Sequence, residues 1–78
     1  MYLMRKDYKS IVNLQNCKSI DIEPFEDYSD GEKLFAINVS AENHIIWMGN
    51  YKSMQEAQEA LAEIMKKLEV GIRCCVMP

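Results

Sequence analysis

The strongest structural signal in the chain lies at residues 53–69, which read SMQEAQEALAEIMKKLE. This segment opens on a capping box, because the Ser53 hydroxyl can accept a hydrogen bond from an amide of the first turn and the Glu56 carboxylate can reach back to the Ser53 amide. Apolar residues then recur at spacings of three and four, which places them on one face of a helix. We predict this helix at residues 54–69, with Gly71 at its C-terminal stop. The apolar stripe consists of Met54, Ala57, Leu61, Ile64, Met65 and Leu68.

The chain before this helix has the pattern of strands joined by turns. In residues 19–23 two isoleucines alternate with acidic residues, which is typical of a half-buried strand. Pro24 then either ends that strand or confines it to a sheet edge, because proline has no amide to donate. Residues 33–39 and 44–48 alternate as the two arms of a hairpin. Connections this short join antiparallel neighbours.

These elements predict an α+β fold. We expect an antiparallel meander sheet of about four to five strands, with one C-terminal amphipathic helix packed on one face. All strands are expected within residues 2–51, and an apolar tail occupies residues 70–78. With 78 residues the chain is expected to form a single small domain, residues 1–78, and its core is marginal.

The predicted hairpin is apolar on both faces, although one helix covers only one face of a sheet. Strands that are buried on one side alternate with polar residues, so the face opposite the helix is expected to carry an apolar contact patch. Strict alternation leaves two possible sets of contact residues, depending on the face that the helix covers. The first set is Leu34, Ala36, Ile46 and Met48; the second is Phe35, Ile37, Ile45 and Trp47.

Such a patch favours self-association, with a dimer as the preferred state. The alternative is that the tail covers the patch within its own chain, through Ile72 and through Val76 with Met77. Oligomeric state separates these two interpretations.

Charge is distributed unevenly around a net value of −3. Residues 1–18 carry an excess of basic residues, whereas residues 19–32 contain six acidic residues and no basic one. This balance disfavours nucleic-acid binding and allows the acidic stretch to face a basic partner. Within that stretch, the candidate interaction residues are Asp27, Asp30 and Glu32. The other interpretations are a solvated loop, or a mimic of a row of nucleic-acid phosphates.

The residue types that carry chemistry form no recognisable site in the sequence. Cys17, Cys74 and Cys75 are odd in number and two are adjacent, so no disulfide framework or zinc spacing is readable. His44 is the only histidine, and there is no glycine-rich phosphate loop. We therefore predict no enzymatic activity, no metal and no cofactor. The sequence also shows no signal peptide or membrane span, which favours a cytoplasmic location.

Several short motifs resemble those of a group of small uncharacterised proteins encoded by phages and prophages of Gram-positive bacteria. They are Arg5-Lys6-Asp7, Ile11-Val12-Asn13-Leu14 with Asn16, then Gly49, Tyr51 and Ser53, and Glu56-Ala57. The resemblance covers roughly residues 5–68 and implies a bacterial cytoplasm, where small proteins of this kind bind and inhibit host factors.

The sequence thus predicts a non-enzymatic interaction protein that self-associates through its sheet or tail and binds a host macromolecule. The alternative prediction is a protein that sequesters a small, nucleotide-like ligand at a subunit boundary.

Overall fold

The computed structural model describes residues 1–27 and 31–78, with only the backbone of Asp27 included. In chain order the elements are β1 (Tyr2–Met4), β2 (Ile11–Asn13), a 3-10 turn (Leu14–Asn16), β3 (Ser19–Asp27), β4 (Glu32–Ser40), β5 (Ile45–Tyr51), α1 (Met54–Glu69) and β6 (Cys74–Val76). The fold is α+β with a single C-terminal helix in the described part of the chain, as the sequence predicts. The strands, however, form two sheets rather than one.

The large sheet is the predicted antiparallel meander, in the order β3-β4-β5. The strand β3 crosses Pro24 and continues to Asp27, so the proline lies on an edge strand. Proline is tolerated there because its missing N–H faces away from the ladder.

The small sheet has the order β2-β1-β6 and was not predicted from the sequence. Its strands β1 and β2 are antiparallel, whereas β1 and β6 are parallel. The expectation of antiparallel strands confined to residues 2–51 was therefore wrong for the tail. The reason is that α1 separates β6 from the rest of the strands, and a helical crossover permits parallel pairing. The tail thus extends the N-terminal strand, and Met77 enters the core with 5% of its surface exposed.

The helix occupies the range that the apolar spacing predicts, and local interactions cap it at both ends. The Ser53 hydroxyl accepts a hydrogen bond from the Glu56 amide at 3.1 Å, while the Glu56 carboxylate accepts from the Lys52 amide at 3.2 Å rather than from the Ser53 amide. At the other end Gly71 has φ +78°, which is the left-handed conformation that ends helices. Both caps satisfy backbone groups that the helix itself leaves unpaired.

A single core joins the helix and the inner faces of both sheets. The helix contacts β3, β4 and β5, and its buried residues are Ala57, Ala60 and Ile64. The large sheet contributes Ile37, Val39, Met48 and Tyr51, and the small sheet contributes Leu3 and Val12. The face of β4 that contains Phe35, Ile37 and Val39 is therefore the one that α1 covers.

A β-bulge in β5 changes which of its side chains reach the core. Ile37 pairs with Gly49, but the next residue, Asn38, pairs with Trp47, so Met48 is an extra residue in β5. Because an extra residue inverts the alternation beyond it, the residues on either side of the bulge do not follow one period-two pattern. Met48 is fully buried, and its carbonyl accepts a hydrogen bond from the Lys6 amide at 2.8 Å.

Candidate interaction surfaces

Because of the bulge, neither of the two sets of contact residues that strict alternation predicts lies on a single face of the sheet. Side chains that face away from α1 include Leu34 and Ala36 from β4 together with Ile45 and Trp47 from β5, since paired residues share a face. By contrast, Ile46 pairs with Val39 and packs against the core, and Met48 is fully buried. Ile46 and Met48 therefore do not lie on the uncovered face, and Phe35 and Ile37 lie under the helix. We call the side that faces away from α1 the large-sheet face.

The large-sheet face is divided between acidic and apolar residues. Its β3 edge carries exposed Asp21 and Glu23, whereas its β5 edge carries Ile45, with 63% of its surface exposed, and half-buried Trp47. The exposed Glu32 lies on the same face by register. The predicted contact residue Asp30 and the side chain of Asp27 lie outside the described residues. The face is thus neither wholly apolar, as its hairpin alone suggested, nor wholly polar.

Trp47 is held by polar contacts at the end of this face. Its indole N–H donates to the Asn50 side-chain oxygen at 2.7 Å. The Arg5 guanidinium lies over the ring, 4.9 Å from its centroid, and is paired with Asp7 at 2.6 Å. A cation over an indole face is an attractive arrangement. The connection between β1 and β2 that carries Arg5, which we call the N-terminal segment, therefore holds the Trp47 ring in place and leaves part of it accessible.

The outer side of the small sheet is the second surface, and sequence reasoning missed it. Strand register places six outward positions on this side, and we call them the small-sheet face. They are Tyr2, Met4, Ile11, Asn13, Cys74 and Val76. Tyr2 and Ile11 have 53% and 58% of their surfaces exposed, and none of the six described positions carries a charge. The signal in the sequence is the run of consecutive apolar residues in each short strand, which indicates apolar side chains on both faces.

A third feature is an open groove of about 890 Å³ along one flank of α1. Tyr51 lies in it, and the Tyr51 hydroxyl donates to the main-chain oxygen of Pro78 at 2.6 Å. Burial raises the pKa of Tyr51 above 10.0, and the neighbouring Glu63 carboxylate raises it further. The charged residues that line the groove are Glu56, Glu59, Glu63, Glu69, Lys6 and Lys66. Because acids outnumber bases, the groove repels the phosphates of a nucleotide, so we do not propose it as a nucleotide site.

The three cysteines are free thiols, and the single histidine lies on the surface. Cys17 is half-buried and its thiol donates to the Asn13 carbonyl at 3.3 Å, whereas Cys74 and His44 are exposed. Within residues 1–27 and 31–78, no group of three or more histidine, cysteine or acidic residues is positioned to hold a metal ion. In the same part of the chain, no helix has the length and apolar character required to span a membrane.

Comparison with known proteins adds no relative to this description. No protein-family model, no curated protein and no solved structure matches the chain.

Proposed function

We propose that this chain is a non-enzymatic interaction protein of the cytoplasm that forms a homodimer through its small-sheet face and binds a host macromolecule, in the phage context that the motif resemblance implies. The observation that supports this proposal is the small-sheet face itself. Five of its six outward side chains are apolar or cysteine, and Tyr2 and Ile11 are more than half exposed. Exposed apolar patches of this kind usually mark contact sites.

A second copy of the chain is the occupant that the charge of this face favours. In a two-fold dimer the same patch of each copy forms the interface, and residue i of one copy meets residue j of the other. An uncharged face meets no like charge in that arrangement. The large-sheet face is less suited to it, because Asp21 and Glu23 are charged and are costly to bury between two copies of the same face.

The total surface of the chain is also large for its mass. The accessible surface is 5379 Å², whereas a compact monomer of 9.1 kDa is expected to expose about 4,900 Å². On this scaling the chain exposes about 500 Å² more surface than a compact monomer of its mass, which is consistent with a partner covering part of that surface.

The test is the molar mass in solution of two matched variants. Ile11→Asp places a charge on the small-sheet face, and Ile45→Asp places the same charge on the large-sheet face at a strand residue of similar exposure. Light scattering coupled to size exclusion should give twice the chain mass for the unmodified protein and for Ile45→Asp, but the single-chain mass for Ile11→Asp. Circular dichroism checks that both variants are folded.

Two results would overturn the proposal. One is an unmodified protein that stays monomeric at high micromolar concentration. The other is a dimer that Ile45→Asp dissociates and Ile11→Asp leaves intact, since that result assigns the interface to the wrong sheet.

A further inference from the structure

We infer that the large-sheet face is the docking site for a basic amphipathic helix of a partner protein. This inference rests on the proposed interaction role, since it names the chemistry of the partner, but it does not require self-association. It follows from the arrangement of side chains across the three strands of the face.

The face has an acidic margin, an apolar margin and a low centre. Asp21 and Glu23 project from β3 on one side, and Ile45 and Trp47 project from β5 on the other. The central strand contributes small or short side chains between them, which are buried Ala36 and half-buried Asn38 and Ser40. A ligand that lies along the strands is therefore contacted by carboxylates on one flank and by apolar surface on the opposite flank.

The two margins and the low centre between them form a trough whose width matches that of a helix. The two margins are two strand spacings apart, which is about 10 Å, and an α-helix with its side chains is about 10–12 Å across. The two margins face each other along the six residues of β4 that pair with β5, Phe35–Ser40, or about 20 Å, which accommodates roughly 13 helical residues. On the opposite side of the same sheet, α1 already packs in this way through Ala57 and Ala60.

An added strand is a poorer fit than a helix, because neither edge of the large sheet is open along its length. On β3, Pro24 has no N–H to donate to an incoming strand. On β5, the Met48 carbonyl already accepts from the Lys6 amide. The accessible feature is thus the face of the sheet, and helices are the elements that usually cover sheet faces.

The charges on the large-sheet face favour one kind of partner helix. The acids on β3 favour lysine or arginine on the flank of the partner that approaches them, and the Ile45 and Trp47 margin favours an apolar stripe on the other flank. Arg5 contacts Trp47 beside this face, and its charge is offset by Asp7. The face therefore keeps its negative margin where a basic helix would lie.

The experiment is a titration with a synthetic peptide, read by the fluorescence of Trp47, which is the single tryptophan of the chain. The probe is a helix-forming peptide with a leucine stripe flanked by lysines, and its control has glutamate in place of every lysine. We expect saturable binding of the lysine peptide with a change in Trp47 emission, and no binding of the glutamate peptide.

Two double variants remove the same number of acids from opposite sides of the molecule. Asp21→Asn with Glu23→Gln removes the acidic margin, and should weaken binding of the lysine peptide about tenfold, as expected for two exposed charge pairs. Glu59→Gln with Glu69→Gln removes two exposed acids from α1, on the covered side, and should weaken binding less than about twofold.

Three outcomes would overturn the inference. They are an equal loss of affinity in the two double variants, equal binding of the lysine and glutamate peptides, or binding that leaves Trp47 emission unchanged. The titration is repeated with the Ile11→Asp variant. If self-association fails its own test by light scattering, peptide binding is still expected, so the failure of one proposal is distinguishable from the failure of the other.

Discussion

Gly49 provides a sharp test of how the N-terminal segment packs against β5. A Cβ added at Gly49 would lie 2.9 Å from the Lys6 Cβ and 3.0 Å from the Lys6 Cδ. Carbon atoms in favourable contact are about 3.5–4.0 Å apart, so Gly49→Ala forces a shift of this segment. The Lys6 Cβ is fixed to the backbone, and its amide is bonded to the Met48 carbonyl, so the segment cannot yield by a simple change of rotamer.

The expected magnitude follows from two opposing effects. Overpacking of this kind costs about 1–3 kcal/mol, whereas alanine in place of glycine in a strand recovers about 0.5–1 kcal/mol of backbone entropy. The free energy of unfolding of Gly49→Ala should therefore fall by about 1–2 kcal/mol. For a domain of this size that corresponds to a melting temperature lower by roughly 5–15 °C.

The assay is a double-mutant cycle in urea, followed by Trp47 fluorescence at one protein concentration. Lys6→Gly removes the clashing side chain, although it also removes the ammonium group that lies 3.8 Å from the Tyr51 ring centroid. In the Lys6→Gly background only the entropy gain remains, so Gly49→Ala should raise the free energy of unfolding by about 0.5–1 kcal/mol. The coupling energy then equals the overpacking cost, which is about 1–3 kcal/mol. Gly71→Ala is the control, because its added Cβ meets nothing within 4 Å, and its effect should simply add to that of Lys6→Gly.

A coupling energy below about 0.5 kcal/mol between Gly49→Ala and Lys6→Gly would refute the reasoning, since the two sites would then be independent. It would mean that the segment does not lie against β5.

Three further predictions concern the cap, the N-terminal turn and the buried phenol. Ser53→Ala should lower the free energy of unfolding by about 1 kcal/mol in the same urea measurement, because it removes the acceptor of the Glu56 amide. Ser53→Asp should keep most of this stabilisation, because its carboxylate can accept from the same amide. Tyr8→Gly should raise the free energy of unfolding by about 1 kcal/mol, because Tyr8 has φ +64°; an unchanged urea midpoint would argue against that backbone conformation. Burial raises the pKa of Tyr51 above 10.0, so its contribution to stability is complete below pH 10 and is lost as the pH rises further, since the unfolded chain ionises first. Tyr51→Phe should therefore show a shallower loss of stability above pH 10 than the unmodified protein, and identical slopes would contradict this.

Local signals were sufficient for the helix and for the order of strands in the large sheet. The capping residue, the apolar stripe and Gly71 all act within a few residues of one another, so residues 54–69 could be assigned without knowledge of any other segment. The meander β3-β4-β5 was predictable for the same reason, because its connections are short and its neighbours in space are neighbours in the chain.

The two interaction surfaces were much less accessible to sequence reasoning. The large-sheet face was expected from the hairpin, but some of the residues assigned to it were wrong, since Ile46 and Met48 were grouped with Leu34 and Ala36. A bulge adds one residue without any strong local signature, and one residue is enough to invert the alternation.

The helix, its caps and the antiparallel meander are therefore determined by patterns of residues that lie close together in the sequence. The small sheet depends instead on pairing between Tyr2 and Cys74, which lie at opposite ends of the chain. Three-residue strands have too few residues to show a period, and they become strands only when a distant segment supplies their hydrogen bonds. For this reason the uncharged face that we propose as the dimer interface is visible only after the two ends of the chain are brought together.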